Sequence, residues 1–151
     1  MKSLALLTGL LTLASIVLFS AIAPAVQENP PEPLSKLAKA INAKRSQFKM
    51  VPYVANKQLQ AAAQAHADDM AKNKKLSHTG SDGSSFTARV TKAGFTGKMS
   101  GGGEIIGNSG DATELVEMWS RSPGHSTQMM SNRKYIGAAI SGDYACVLFF
   151  D

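Results

Sequence analysis

The sequence predicts an α+β domain in three layers, with helices on both faces of a small, mostly antiparallel sheet. Three observations carry this. Apolar residues recur at helical spacing in four separate segments. Two apolar runs, "YIGAAIS" (135–141) and "YACVLFF" (144–150), close the chain on either side of Gly142 and Asp143, which is hairpin spacing. Both runs are apolar at odd and even positions alike, so the sheet they form needs cover on each face.

The elements follow in order. Residues 1–25 open with "MK", continue without a charge, and end in Ala23-Pro24-Ala25, the small-x-small pattern of a cleaved export signal. The alternative is an uncleaved N-terminal anchor, since about 20 apolar residues suffice to cross a bilayer. Residues 26–34 are a linker in which Pro30, Pro31 and Pro33 impose extended backbone, and the domain occupies 35–151. Leu34, Leu37, Ile41 and Phe48 mark a first helix over 34–48, with lysines and Arg45 between them. A short connection, 50–55, leads to Asn56, which caps a second helix over 57–73 carrying Leu59, Ala62, Ala63, His66 and Met70 on one face. His66 within that stripe reads as a core histidine with one nitrogen hydrogen-bonded.

After Leu76, "SHTGSDGSS" is a loop in which Ser81 or Asp82 caps a third helix over 84–93, stopped by Gly94. Six glycines in residues 95–110 exclude helix there, and Glu104–Ile106 reads as a short strand or extended edge. Asp111 caps a fourth helix with Ala112, Leu115, Val116 and Trp119 inward and Glu114 and Glu117 solvated. "SPGHSTQMM" then leaves that helix, because the residue before Pro123 is pushed out of helical geometry.

Composition narrows the function. The net charge is +5, of which Lys2 supplies one unit, so the domain is only mildly basic. Its one cluster, "KNKK" at 72–75, falls at a helix end, where the dipole favours lysine. No aromatic residues alternate with it, which argues against nucleic-acid binding and leaves weak attraction to an anionic envelope. Cys146 is the only cysteine and lies in the most apolar run, so it reads as a buried hydrophobe and no internal disulfide is available. Export without disulfides points to a bacterial secreted or periplasmic protein.

Two histidines stand in loop-like settings: His78 in "LSHTG" and His125 in "SPGH". Their order along the chain, with a glycine-rich "GGGEI" and a helix ending in tryptophan between them, resembles the CAP superfamily, the SCP or PR-1-like domain, in its short bacterial form. The resemblance covers about 36–150. It implies an α-β-α sandwich and a cleft lined by His78, Glu104, Ser122 and His125, with Ser122 where many members carry glutamate and Ile105 where the family's asparagine usually follows the glutamate. Two neutral imidazoles and a carboxylate are an acceptable shell for Zn²⁺ with a position open to water, so Zn²⁺ is the candidate cofactor, held by His78 and His125. The same groups can exchange protons, an unperturbed imidazole having a pKa of about 6.5, and Glu104 is the candidate general base. Ser77, Ser84, Ser85 and Ser122 are nucleophiles on paper only, as none stands in a G-x-S-x-G turn.

The family resemblance implies binding of small hydrophobic molecules more than enzymatic activity, and Met99, Met118, Met129 and Met130 are candidates to line an apolar groove. Three functions follow from these residues: a secreted binding module for a small hydrophobic ligand or peptide, a metal-assisted hydrolase acting on envelope or host material, and an interaction domain in which His78, Glu104 and His125 only brace the fold.

Overall fold

A computed structural model describes residues 33–151, so the export segment and most of the proline linker lie outside the described residues. The chain runs α1 (Lys36–Gln47), β1 (Val54–Ala55), α2 (Lys57–Asn73), α3 (Phe86–Lys92), β2 (Gly103–Asn108), α4 (Ala112–Ser120), α5 (Pro123–Met129), β3 (Tyr135–Ser141), β4 (Tyr144–Phe150). The four strands form one sheet in the order β1-β3-β4-β2. Only the β1–β3 pairing is parallel; β3–β4 and β2–β4 are antiparallel. The mostly antiparallel α-β-α sandwich expected from the sequence is therefore present.

The two-sided apolar pattern of β4 divides the core. Ala145, Val147 and Phe149 face one way and join Leu37 and Ile41 of α1 with Leu115 and Trp119 of α4. Cys146, Leu148 and Phe150 face the other way and join Leu59, Ala63 and Met70 of α2 with Val90 of α3. Successive side chains of a strand alternate between faces, so one run of seven residues fills both cores. Glycines let the layers close. A Cβ at Gly137 of β3 would stand 2.1 Å from the Leu59 carbonyl carbon, so α2 lies with its backbone against the sheet. At Gly107 of β2 a Cβ would stand 2.5 Å from Leu115 and 3.0 Å from Trp119 on the opposite face. The Trp119 indole N–H also donates to the Ile106 carbonyl at 3.0 Å, fixing α4 over the edge strand β2.

Four local expectations are corrected. The connection at 50–55 contains a strand, β1, whose two residues pair with Tyr135 and Ile136. "SPGH" ends one helix and starts another: Pro123 occupies the first turn of α5, where a missing N–H costs nothing. Ser85 caps α3, through the Ala88 amide, while in the preceding loop Ser81 donates to Asp69 of α2 and Asp82 accepts from the Ser84 amide. Finally Phe48, just beyond the last turn of α1, is exposed, and Arg45 takes its place in the buried stripe.

Arg45 is 1% exposed, yet every nitrogen is engaged. It donates to the carbonyls of Val51, Met129 and Ser131 at 2.6–3.0 Å, and its guanidinium lies 3.8 Å over the Tyr53 ring. This cation clamps the loop after α1 to the end of α5.

Candidate functional site

Glu104 lies on edge strand β2 with its side chain only 1% exposed, pointing into the α2–α3 layer alongside Cys146. A buried carboxylate requires partners. Arg89 of α3 donates Nη2 to Oε2 at 2.5 Å, and the His78 Nδ1–H donates to Oε1 at 2.8 Å. The Cys146 thiol stands 3.6 Å from Oε2 as a weak donor. Burial, and then the Glu104 charge, push that thiol well above its ordinary pKa, so it stays protonated, as its apolar run suggests. Arg89 also donates to the carbonyls of Ser84 and His78, so one guanidinium secures both Glu104 and the loop that carries His78.

Since an ionised carboxylate only accepts, the His78 proton is on Nδ1 and its Nε2 carries a lone pair in the neutral ring. The His78 side chain is 56% exposed, in contrast to the buried carboxylate it contacts. His125, in the first turn of α5, has a parallel arrangement. Its Nδ1 is 2.8 Å from the Ser122 hydroxyl, three residues earlier, and its ring tilts against Trp119 with 6.5 Å between centroids. Ser122 is the N-cap residue of α5 but makes no side-chain cap bond, because its hydroxyl is engaged by the imidazole. Partial burial lowers the pKa of His125, and the charge of His78 lowers it further, so the two rings are within electrostatic reach. His78 comes from the α2–α3 layer and His125 from the α4–α5 layer, with β2 at the free edge of the sheet between them.

The four residues singled out in the sequence thus form two hydrogen-bonded pairs, His78–Glu104 and His125–Ser122, on neighbouring elements. With both Glu104 oxygens engaged, a metal would have the Nε2 of His78 and, in the tautomer where its Nδ1–H donates to Ser122, the Nε2 of His125. Among the described residues no group of three or more His, Cys, Asp or Glu stands close enough to hold a metal ion. A divalent ion here would take two imidazoles and complete its shell with water or ligand, which fits an exchangeable site and not a structural one. Arg89 was not legible as a site residue, although a glutamate in an apolar strand demands a buried cation somewhere. His66 is the core histidine expected, with Nε2 2.8 Å from the Ser77 carbonyl. The four methionines do not line one groove: the sheet sets Met99, on the α2–α3 side, apart from the other three, of which Met129 is core, Met130 packs against the same α1–α4 cluster and Met118 of α4 is exposed.

The chain belongs to the CAP family, described as the cysteine-rich secretory protein family, whose sequence model matches residues 38–150. No curated protein is similar in sequence at a significant level. Among solved structures, the fold is similar to an outer surface protein of Borrelia burgdorferi, with a TM-score of 0.65, 21% identity, and 75% of this chain matched to 87% of that one. It is also similar to an extracellular protein containing an SCP domain from Bacillus anthracis, with a TM-score of 0.69 and 18% identity over 79% of this chain and 44% of that one. A cysteine-rich secretory protein of Staphylococcus aureus matches with a TM-score of 0.61 and 18% identity, over 75% of this chain and 36% of that one. The last two are far longer proteins, of which this chain spans less than half. At these identities the likeness is one of fold.

Proposed function

We propose that the chain is an exported binding module whose cleft, between His78 and His125, takes a divalent cation of the Zn²⁺ class as an exchangeable part of a site for a small hydrophobic ligand or peptide. Export is supported by the charge-free stretch 3–25 and by structural relatives described as outer-surface and extracellular proteins. Among the described residues no helix is long and apolar enough to cross a membrane.

One observation carries the metal reading: each imidazole is tied at Nδ1 to its own oxygen partner, Glu104 or Ser122, which leaves Nε2 as the ring nitrogen not engaged by that partner. Metal-binding histidines are characteristically oriented in this way by a second partner on the other ring nitrogen. The same geometry disfavours the hydrolase reading, since Glu104 is shielded and already engaged twice, which suits a positioning group better than a general base. Calorimetric titration of the full chain with Zn²⁺ near neutral pH tests the proposal. One-to-one binding is expected, weakened at least about ten-fold by His78→Ala and by His125→Ala. A folded wild type that takes up no Zn²⁺ removes the metal from the site.

A further inference from the structure

Exposed apolar side chains concentrate at the end of α1. Among the described residues five large hydrophobic side chains are exposed, and three of them, Phe48 (64%), Val51 (79%) and Val54 (40%), fall within residues 48–54, between the end of α1 and the start of β1. Single exposed apolar residues are ordinary, whereas a cluster marks a contact surface.

The turn cannot fold these side chains inward, because its backbone is fastened to α1. Arg45 gathers both ends of it: the Phe48 and Met50 amides donate to the Arg45 carbonyl at 3.0 and 3.2 Å, and the Arg45 guanidinium donates to the Val51 carbonyl. The Lys49 amide donates to the Ser46 carbonyl, Tyr53 N–H to Asn42 Oδ1 at 2.8 Å and Val54 N–H to the Lys134 carbonyl at 2.9 Å, while Pro52 has no N–H. Of residues 48–54, only Val51 has an amide without such a partner among the described residues. A backbone satisfied internally can leave water for an apolar phase at little cost. It is poorly suited to a peptide that pairs as an added strand, since Asn42 already takes both the N–H and the carbonyl of Tyr53.

Charge narrows the partner. Residues 33–67 hold six lysines and arginines and no aspartate or glutamate. Arg45 is buried and Lys44 is paired with Glu117 at 3.3 Å, whereas Lys49 and Lys57 are exposed beside the apolar cluster. The carboxylate that approaches from the end of β4, Asp151, accepts from the Lys134 amide. Lys49 is also left-handed, with φ 56°, at the position after the helix where glycine is the usual and less strained residue. A cation is thus set between Phe48 and Val51 at the expense of local strain.

We propose that the turn from α1 to β1 is a membrane-docking surface, in which Phe48 and Val51 enter the boundary between headgroups and acyl chains of an anionic bilayer and Lys49 and Lys57 meet the lipid phosphates. The surface is separate from the histidine cleft and needs no metal.

Gln47→Cys, labelled with the environment-sensitive fluorophore NBD, reports on the turn in the full chain, since the only native cysteine, Cys146, is buried and protonated. Lys75→Cys, labelled likewise beyond the far end of α2, is the control, so binding through residues 1–32 would not register as docking of the turn. With phosphatidylcholine vesicles containing phosphatidylglycerol, emission at position 47 should shift to the blue and be quenched by doxyl-labelled lipid, and emission at position 75 should not. Adding Phe48→Ser should lower the ratio of docked to free turn about ten-fold or more. Lys49→Gly should lower it about five-fold, the weight of one basic residue at an anionic surface, in a protein that melts no lower than the wild type because glycine relaxes the left-handed position. No response at position 47, an equal response at position 75, either variant docking as the wild type does, or an equal response to soluble polyphosphate without vesicles would overturn the proposal.

Discussion

Glu104→Gln keeps the shape of the side chain and removes its charge, leaving the Arg89 guanidinium opposite a neutral amide in a buried position. Breaking one partner of a buried ion pair costs about 3–5 kcal/mol. Arg89 retains the Ser84 and His78 carbonyls as acceptors, which places the loss at the low end, about 3 kcal/mol. The His78 contact adds less than about 1 kcal/mol, because the imidazole is mostly solvated. Urea unfolding followed by the fluorescence of Trp119, the only tryptophan and fully buried, reads the difference as a shift in midpoint at constant slope. Arg89→Met should cost a similar amount, and the double variant less than the two single losses together, since the two residues stabilise one another. A loss below about 1 kcal/mol for Glu104→Gln, or strictly additive variants, would refute the claim that this pair anchors the site.

Three further outcomes follow from the same geometry. Arg45→Met should destabilise by about 3–5 kcal/mol in the same assay, because the carbonyls of Val51, Met129 and Ser131 lose their buried donor, and Arg45→Lys should not restore it, lacking the planar fork. Gly137→Ala should lower the melting temperature, at a cost of about 3 kcal/mol or more, since the new Cβ would press on the backbone of Leu59 and Gln60, which cannot rotate away. Acid should act in two stages. Burial lowers the pKa of His66 and of His125, so the stability they contribute is complete above their unfolded value of about 6.5 and is lost as pH falls through their lower folded values. Asp69, Asp82 and Asp111 are held below 3.8 by their hydrogen bonds, so their contribution is lost in a later stage, at more acid pH. Denaturant midpoints measured from about pH 8 down to about pH 2 should show both stages.

Periodicity made most of the architecture legible. The stripe through Leu59, Ala63, His66 and Met70 is the buried face of α2, and Asn56 and Asp111 cap as their residue types suggest. Elements escaped where the local signal was short or ambiguous. β1 is two residues long and starts two positions after Pro52, and its partners in β3 lie 81 positions further along the chain. Pro123 signals the end of a helix and the first turn of one equally well, and the sequence alone favours neither. Arg45 follows Leu37 and Ile41 at four-residue steps, so its position on the buried stripe was readable, but its charge pointed to solvent. Its partners are backbone carbonyls, which leave no trace in composition. For the site, the histidines and Glu104 stood out by their setting. Arg89 did not, because its role arises only when α3 is laid against β2.

Glu104 fixes His78 with its proton on Nδ1, which leaves Nε2 free of that contact. Imidazole ¹⁵N NMR on the full chain above the histidine pKa range reads this directly. An Nδ1–H signal is expected for His78 in the wild type, with loss of that single tautomer in Glu104→Gln and movement of the Nε2 resonance when Zn²⁺ is added. A His78 ring protonated on Nε2, or one whose tautomer is indifferent to Glu104, would contradict it.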